Sequence, residues 1–302
     1  MTLALLVTGA KGQLGSEIVA RARRAADIPF ARGVARADVD LTDPFLVRDT
    51  VQEWARVVRS DSPAHRLVVI NAAAYTAVDE AEQDEEAAYA VNAAAPALLA
   101  TACAAAGARL VQFSTDYVFP GDATDPYEVD DPTGPRSAYG RTKLAGEQAV
   151  REILPEASYV VRTAWLYGAG GANFVRTMAA LERTKDTVSV VADQVGSPTW
   201  AGHLAAGLLE LCRSEAPAGV YHGTSSGSVS WYGFTQAIFA ELGADPTRVL
   251  PTASSTFVRP AERPAYSVLS GRAWCAAGLP PLPGWREALA EAFRVEGNAL
   301  RA

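Results

Sequence analysis

The strongest constraint on this chain lies within its first fifteen residues. A short apolar run, Leu3-Ala4-Leu5-Leu6-Val7, ends at Thr8 and leads directly into Gly9-Ala10-Lys11-Gly12-Gln13-Leu14-Gly15, after which a helical pattern extends from about Leu14 to Arg24. The spacing Gly-x-x-Gly-x-x-Gly, set between a strand and a helix, suits a dinucleotide pyrophosphate. The glycines let the backbone turn tightly and come close to the phosphates, and the helix N-terminus offers free N–H groups and partial positive charge. A glycine pattern alone is weak. Its place between the first strand and the first helix is what separates it from an ordinary glycine-rich loop.

The rest of the first half repeats the alternation. Val57-Val58 and Leu67-Val68-Val69-Ile70 are short apolar runs, the second ending in Asn71-Ala72-Ala73-Ala74. A helix-like stretch rich in Ala and Glu spans about Val78 to Ala106, and Leu110-Val111-Gln112-Phe113 ends in Ser114-Thr115-Asp116. Short apolar strands alternating with helices predict a parallel sheet covered on both faces. After about Arg162 the pattern loosens, with Pro and Gly frequent and runs such as Val188-Ser189-Val190-Val191 standing between loops. The expected fold is therefore α/β, a Rossmann-type doubly wound parallel sheet with a smaller C-terminal substrate-binding lobe. Residues 1–165 would form the dinucleotide-binding domain and 166–302 mainly the lobe, with later segments returning to the sheet.

Composition excludes several classes. Of 302 residues, 49% are apolar, enough for a substantial core, and the formal net charge of −7 argues against non-specific nucleic-acid binding. Cys103, Cys212 and Cys275 are far apart, without metal-ligand spacing, and read as small buried hydrophobes in a reducing cytoplasm. No leader is expected before a first strand this early, nor an apolar run of membrane-spanning length. The acidic run Glu80, Glu82, Asp84, Glu85 and Glu86 reads as a solvated helix face.

Two further positions carry chemistry. The ribose-reading site lies about 20 residues past the glycine turn, where an acid favours NAD. Here Ala35 stands in that place and Arg36 follows. Arg36 reads either as the partner of a 2′-phosphate, which points to NADPH with NADH as the alternative, or as a plain surface arginine. Asp40 and Leu41 would sit in the next loop, near the adenine. Tyr139-Gly140-Arg141-Thr142-Lys143 is Tyr-x-x-x-Lys, and residues i and i+4 share a helix face. A phenol can give a proton to a carbonyl oxygen as hydride reaches its carbon, and a neighbouring ammonium lowers the phenol's pKa towards the working range. A hydroxyl at Ser114 or Thr115, at the end of a strand upstream, would hold the substrate carbonyl. Glycine turn, strand-end hydroxyl and Tyr-x-x-x-Lys, in that order, match extended short-chain dehydrogenases/reductases.

Longer segments are more specific. Thr8 to Gly15, Asn71 to Glu82, Ser114-Thr115-Asp116-Tyr117-Val118-Phe119, Arg162 to Gly168 and Asp193 to Thr199 resemble the dTDP-4-dehydrorhamnose reductase family, with a looser likeness through Arg259-Pro260 and Leu269-Ser270. The resemblance implies reduction of the C4 ketone of dTDP-4-dehydro-β-L-rhamnose. It also implies roles. Gly12, Gln13 and Leu14 would hold the pyrophosphate, Asp40 and Leu41 would flank the adenosine, and Ala72, Ala73 and Ala74 would line the cofactor. Thr115 would polarise the ketone, Tyr139 would donate the proton, and Lys143 would bind the nicotinamide ribose. Asp116 and Trp165 would touch the sugar, a plain core tryptophan being the other reading of Trp165.

Some relatives are metal-bridged dimers that use glutamates. Near the matching place stand Gly202 and His203 with no carboxylate, so no metal is expected although Glu17 is present, and His203 reads as a surface or packing residue. Monomer and homodimer both remain open. Sugar-nucleotide dehydratases carry an acid after Thr-Asp, where this chain has Tyr117. Epimerases share Tyr-x-x-x-Lys, and a non-catalytic regulatory subunit resembles the same family. Net cofactor consumption separates an epimerase from a reductase, and intact Tyr139, Lys143 and Thr115 count against the regulatory subunit.

Overall fold

The computed structural model describes residues 2–301. In chain order its first half holds β1 (Leu3–Thr8), α1 (Gln13–Ala22), β2 (Phe30–Val34), α2 (Pro44–Asp61), β3 (Arg66–Asn71), α3 (Glu85–Tyr89), α4 (Ala95–Ala106), β4 (Arg109–Thr115), α5 (Ala138–Ile153) and β5 (Ser158–Thr163). The second half holds β6 (Leu166–Tyr167), α6 (Phe174–Thr184), β7 (Val188–Val191), β8 (Val195–Gly196), β9 (Thr199–Trp200), α7 (Ala201–Arg213), β10 (Gly219–His222), β11 (Val229–Ser230), α8 (Trp231–Leu242), β12 (Val249–Thr252), α9 (Arg272–Ala276) and α10 (Trp285–Arg301).

Six strands form one parallel sheet in the order β10-β5-β4-β3-β1-β2. Alternation along β1 shows why both faces are covered. Leu3, Leu5 and Val7 join a core with Ile18 of α1 and Leu204 and Leu208 of α7, while Ala4 and Leu6 join another with Val51, Trp54, Leu99 and Cys103 of α2 and α4. Because β2 and β3 flank β1 on opposite sides, the loops leaving β1 and β3 part at the carboxyl edge and open a crevice, the usual ligand site of such sheets. Residues 201–222 return to this sheet: α7 packs on α1, and β10 extends the sheet beyond β5.

The remaining strands pair as β6-β9, β7-β12 and β8-β11 around a third core built on Tyr167, Trp200, Phe234, Phe239, Leu289 and Phe293. An extended stretch then threads between the two regions, with Tyr266 N–H bonded to the Gly121 carbonyl at 3.0 Å and Ser267 N–H to the Val195 carbonyl at 2.9 Å.

Four expectations need correction. Val57 and Val58 lie within α2, where only Val58 faces the core, so that apolar pair is one turn of an amphipathic helix. Cys275 is exposed, whereas Cys103 and Cys212 are buried and their thiols are pushed up to about 12 by desolvation. The continuous helical run Glu85–Ala106 is long and apolar enough, by length and composition, to cross a membrane, although it packs as a core helix with half its length buried. The acidic run is not merely solvated. Glu82 accepts from the Ala138 N–H at 2.7 Å, and Glu85 forms a two-pronged bond with Arg141, at 2.9 and 2.7 Å. Both brace the start of α5.

Candidate active site

The glycine turn takes its shape from contacts that leave no room for a side chain. A Cβ on Gly9, whose φ is +67°, would stand 2.6 Å from the Ala72 and Ala73 backbone, and one on Gly15 would stand 2.3 Å from the Gly9 carbonyl oxygen. The turn is thereby pressed against the loop leaving β3. A cavity of about 390 Å³ opens there, lined by Gly9, Gly12, Arg36, Asp40, Leu41 and Ala72–Ala74 among others. Gln13, Leu14 and Gly15 do not line it. The Leu14 side chain is in the core, Gly15 seats α1 on the turn, and Gln13 donates to the Ala172 carbonyl at 3.3 Å. Lys11, unassigned from the sequence, does line it and adds a second cation to the cavity that Arg36 also lines. β2 ends at Val34, so Ala35 and Arg36 are the first residues beyond the strand. Asp40 turns its carboxylate on Thr42, accepting from N–H and hydroxyl at 2.9 and 2.7 Å, and these bonds hold it below the ordinary carboxylate range. The cradle, the free helix N-terminus and the two cations fit a phosphate-bearing dinucleotide.

A buried polar ladder crosses the strand ends next to this cavity. Thr8 donates to Asn71 at 2.6 Å, Asn71 to Gln112 at 2.7 Å, and Gln112 to the Phe113 carbonyl at 2.8 Å. The same carbonyl accepts from Lys143 Nζ at 2.6 Å. Lys143 is buried and lies on α5, whose first turn is capped by Ser137, accepting from the Gly140 N–H at 3.1 Å. Gly140 lets α5 come against the Tyr117 carbonyl, where a Cβ would stand 2.3 Å away. Asn92, in the π-helical turn Ala90–Ala94 between α3 and α4, accepts from Tyr75 N–H at 2.9 Å and donates to Thr142 at 3.2 Å, tying the loop after β3 to α5. Neither Asn92 nor the ladder was legible from the sequence, since each joins residues far apart in the chain.

Tyr139 has two other tyrosines in its neighbourhood. It shares a small apolar cluster with Tyr75, and its ring meets that of Tyr117 edge-on at 5.6 Å. Tyr75 lines the first cavity, and Tyr117 lines a second of about 770 Å³ in the C-terminal lobe, with Phe174, Trp231, Phe257, Arg259 and Arg263. Thr115 donates to Asp116 Oδ1 at 2.9 Å and accepts from Tyr117 N–H at 3.2 Å. Asp116 is buried and its Oδ2 has no hydrogen-bond partner. Desolvation raises its pKa to about 6, against the pull of the Ser267 and Thr115 hydroxyls.

The expected electrostatics of the tyrosine–lysine pair are reversed in the protein alone. Burial raises Tyr139 to about 12, with the Asp116 charge adding to the rise and Thr115 opposing it, and burial lowers Lys143 to about 8 against the pull of Glu147. A bound nicotinamide would add positive charge beside the phenol only as its hydride departs, which would then favour loss of the phenolic proton.

Trp165 has φ +47°, the only non-glycine positive φ among the described residues, which costs about 1–2 kcal/mol. It is not in the wall of the larger cleft. Its ring lies flat on that of Trp231, centroids 3.4 Å apart at 3°. No group of metal-ligating side chains occurs among the described residues. Glu17 pairs with Arg21 at 2.7 Å, and His203 is held by Glu291 at 2.9 Å and set edge-on to Trp200.

A glycine cradle, a strand-end hydroxyl and a Tyr-x-x-x-Lys helix, gathered at the carboxyl edge of a parallel sheet, define the extended short-chain dehydrogenase/reductase class. Within it, the chain belongs to the RmlD substrate binding domain family, which it matches over residues 2–296. It is 52% identical over 293 residues to a dTDP-4-dehydrorhamnose reductase of Streptomyces griseus, covering 95% of this chain and 92% of that protein. It is 50% identical over 295 residues to a probable dTDP-4,6-dihydroxy-2-methyloxan-3-one 4-ketoreductase of Streptomyces antibioticus, covering 95% and 94%. The crystal structure of dTDP-4-dehydrorhamnose reductase from Bacillus anthracis in complex with NADP superposes with a TM-score of 0.88 at 35% identity, covering 97% of this chain and 99% of that one.

Proposed function

We propose that this protein is a cytoplasmic enzyme that reduces the C4 ketone of dTDP-4-dehydro-β-L-rhamnose to the alcohol with NADPH, giving dTDP-L-rhamnose. The observation that carries this reading is Thr115 at the end of β4 acting on Tyr139, which shares one face of α5 with Lys143, while the Tyr139 ring meets Tyr117 of the larger cleft edge-on. Residues 1–165 hold the cofactor and 166–302 mainly the nucleotide sugar, as a monomer or homodimer.

Gly9 and Gly12, with the backbone N–H groups of Gln13, Leu14 and Gly15, receive the pyrophosphate. Arg36 meets the 2′-phosphate, Asp40 and Leu41 flank the adenosine, and Ala72, Ala73 and Ala74 line the way to the strand ends. When bound, the cofactor supplies the hydride. Thr115 turns its hydroxyl from Asp116 to the ketone oxygen, Tyr139 gives its phenolic proton to that oxygen, and Lys143, anchored on the Phe113 carbonyl, holds the nicotinamide ribose and steadies the phenolate. Asp116 and Trp165 orient the sugar. Tyr117 occupies the place where a dehydratase carries its acid, so the carboxyl that elimination would use is absent there.

Tyr139→Phe removes the proton and little else. Turnover should fall by at least about 10³-fold while NADPH binding stays near wild type. Near-normal turnover in that variant rejects Tyr139 as the acid.

A further inference from the structure

The left-handed backbone at Trp165 is disfavoured for any residue with a Cβ, so its surroundings must impose it. Two neighbours hold the side chain. Trp231 lies flat on the indole at 3.4 Å, and Gly196 comes so close that an added Cβ would stand 2.4 Å from Trp165 Cε2 and 2.6 Å from Nε1. Trp231 is itself fixed. It opens α8 behind the Ser230 cap, and its ring packs against Phe174 of α6 at 4.2 Å and 45°. Trp231 and Phe174 both line the larger cleft, whereas Trp165 does not. Gly196 and Trp231 also come from neighbouring segments, because β8 pairs with β11 immediately before α8. The two constraints on Trp165 thus belong to one supporting unit.

We propose that Trp231 is a positioning residue for the nucleotide sugar: it locks the Trp165 indole in the orientation that meets the sugar, and Gly196 leaves room for that orientation. The proposal rests on the assignment of Trp165 to the sugar made above. Rings with centroids 3.4 Å apart overlap face to face rather than in the offset arrangement aromatic pairs prefer, so the packing around them holds the stack, and neither ring lines the cofactor cavity.

The test compares four variants by steady-state kinetics with the keto-sugar nucleotide, NADPH titration and circular dichroism, where the stacked indoles should give an exciton couplet. Trp231→Leu keeps an apolar side chain but no stack. It should raise KM about fivefold to tenfold with kcat changed less, lose the couplet and leave NADPH binding unchanged. Trp231→Phe keeps a ring and should bring KM back to within about threefold of wild type. Gly196→Ala drives a methyl group into the Trp165 ring and should raise KM as Trp231→Leu does, without touching Trp231. Trp165→Leu separates the two claims. If it leaves KM unchanged, the assignment of Trp165 to the sugar is wrong. If it raises KM while Trp231→Leu and Gly196→Ala do not, positioning by Trp231 is wrong. Should Trp231→Leu fail to fold, Gly196→Ala decides, and an unchanged KM there overturns the proposal.

Discussion

Glu147 sits one turn beyond Lys143 on α5 and offers a sharp test of how the site is held. Its carboxylate meets Arg162 of β5 through Nε at 2.9 and 3.3 Å and Nη2 at 2.7 Å, with the two side chains only 3% and 5% exposed. Arg162 also donates to the Val129 carbonyl at 3.1 Å and lies over the Phe119 ring at 4.9 Å, so it cannot swing out to water. Glu147→Gln therefore leaves a buried guanidinium without its counter-charge. Breaking such a pair costs about 3–5 kcal/mol, and the retained amide oxygen places this variant near about 3. At roughly 2 °C per kcal/mol for a chain of this size, Tm should fall by about 6 °C in a calorimetric scan. The double variant Glu147→Leu with Arg162→Met removes both charges and should recover most of that loss.

The substitution has a second effect at the site. Lys143 is lowered to about 8 by burial, and Glu147 is the group that pulls it back up. Without that charge its pKa falls further. With Lys143 in the role proposed above, turnover needs the ammonium form, so activity should decline as pH rises through the lysine pKa, and in Glu147→Gln that decline should begin at lower pH. A variant whose Tm stays within about 1 °C of wild type, with an unmoved alkaline limb, would refute the reasoning on both counts.

Other predictions follow from the same geometry. Asp116→Asn removes a buried carboxyl raised to about 6 from 3.8, so the penalty it relieves develops between those values and is complete above them. In urea unfolding at pH 8 the variant should be more stable by on the order of 2–3 kcal/mol, the gain vanishing below pH ~4, whereas lower stability at pH 8 would show that the carboxylate is well solvated or paired. Arg36→Ala should weaken NADPH by about tenfold and leave NADH nearly unchanged, as read from the ratio of kcat/KM values, and equal losses with both cofactors would detach Arg36 from the 2′-phosphate. Asn92→Ala cuts the tie between the loop after β3 and α5, with bonds of 2.9 and 3.2 Å, and should cost about 1–3 kcal/mol in thermal unfolding. An unchanged Tm would mean that the loop is held elsewhere.

What the sequence revealed and what it hid divide along a physical line. The glycine turn, the strand ends at Asn71 and Thr115 and the shared helix face of Tyr139 and Lys143 are local patterns, set by residues within a few positions of one another, and they are legible in one dimension. Val57 and Val58 misled because two adjacent apolar residues fit a strand and a helix turn alike, and burial of Val58 alone decides for the helix. Glu82 and Glu85 read as solvent-facing because their partners, Ala138 and Arg141, lie more than fifty positions away. The Thr8-Asn71-Gln112 ladder and the Trp165–Trp231 stack are tertiary for the same reason. The electrostatics of Tyr139 diverged because burial and the neighbouring Asp116 charge, both invisible in the sequence, raise the phenol, while Thr115 is the group that opposes them.

The most direct measurement follows NADPH absorbance with the purified protein and a panel of 4-keto sugar nucleotides. With dTDP-4-dehydro-β-L-rhamnose the protein should consume one NADPH per product, yield dTDP-L-rhamnose and show the highest kcat/KM of the panel. A cofactor that stays bound and unconsumed while the sugar is epimerised, or a clear preference for a different 4-keto sugar, would contradict that reading.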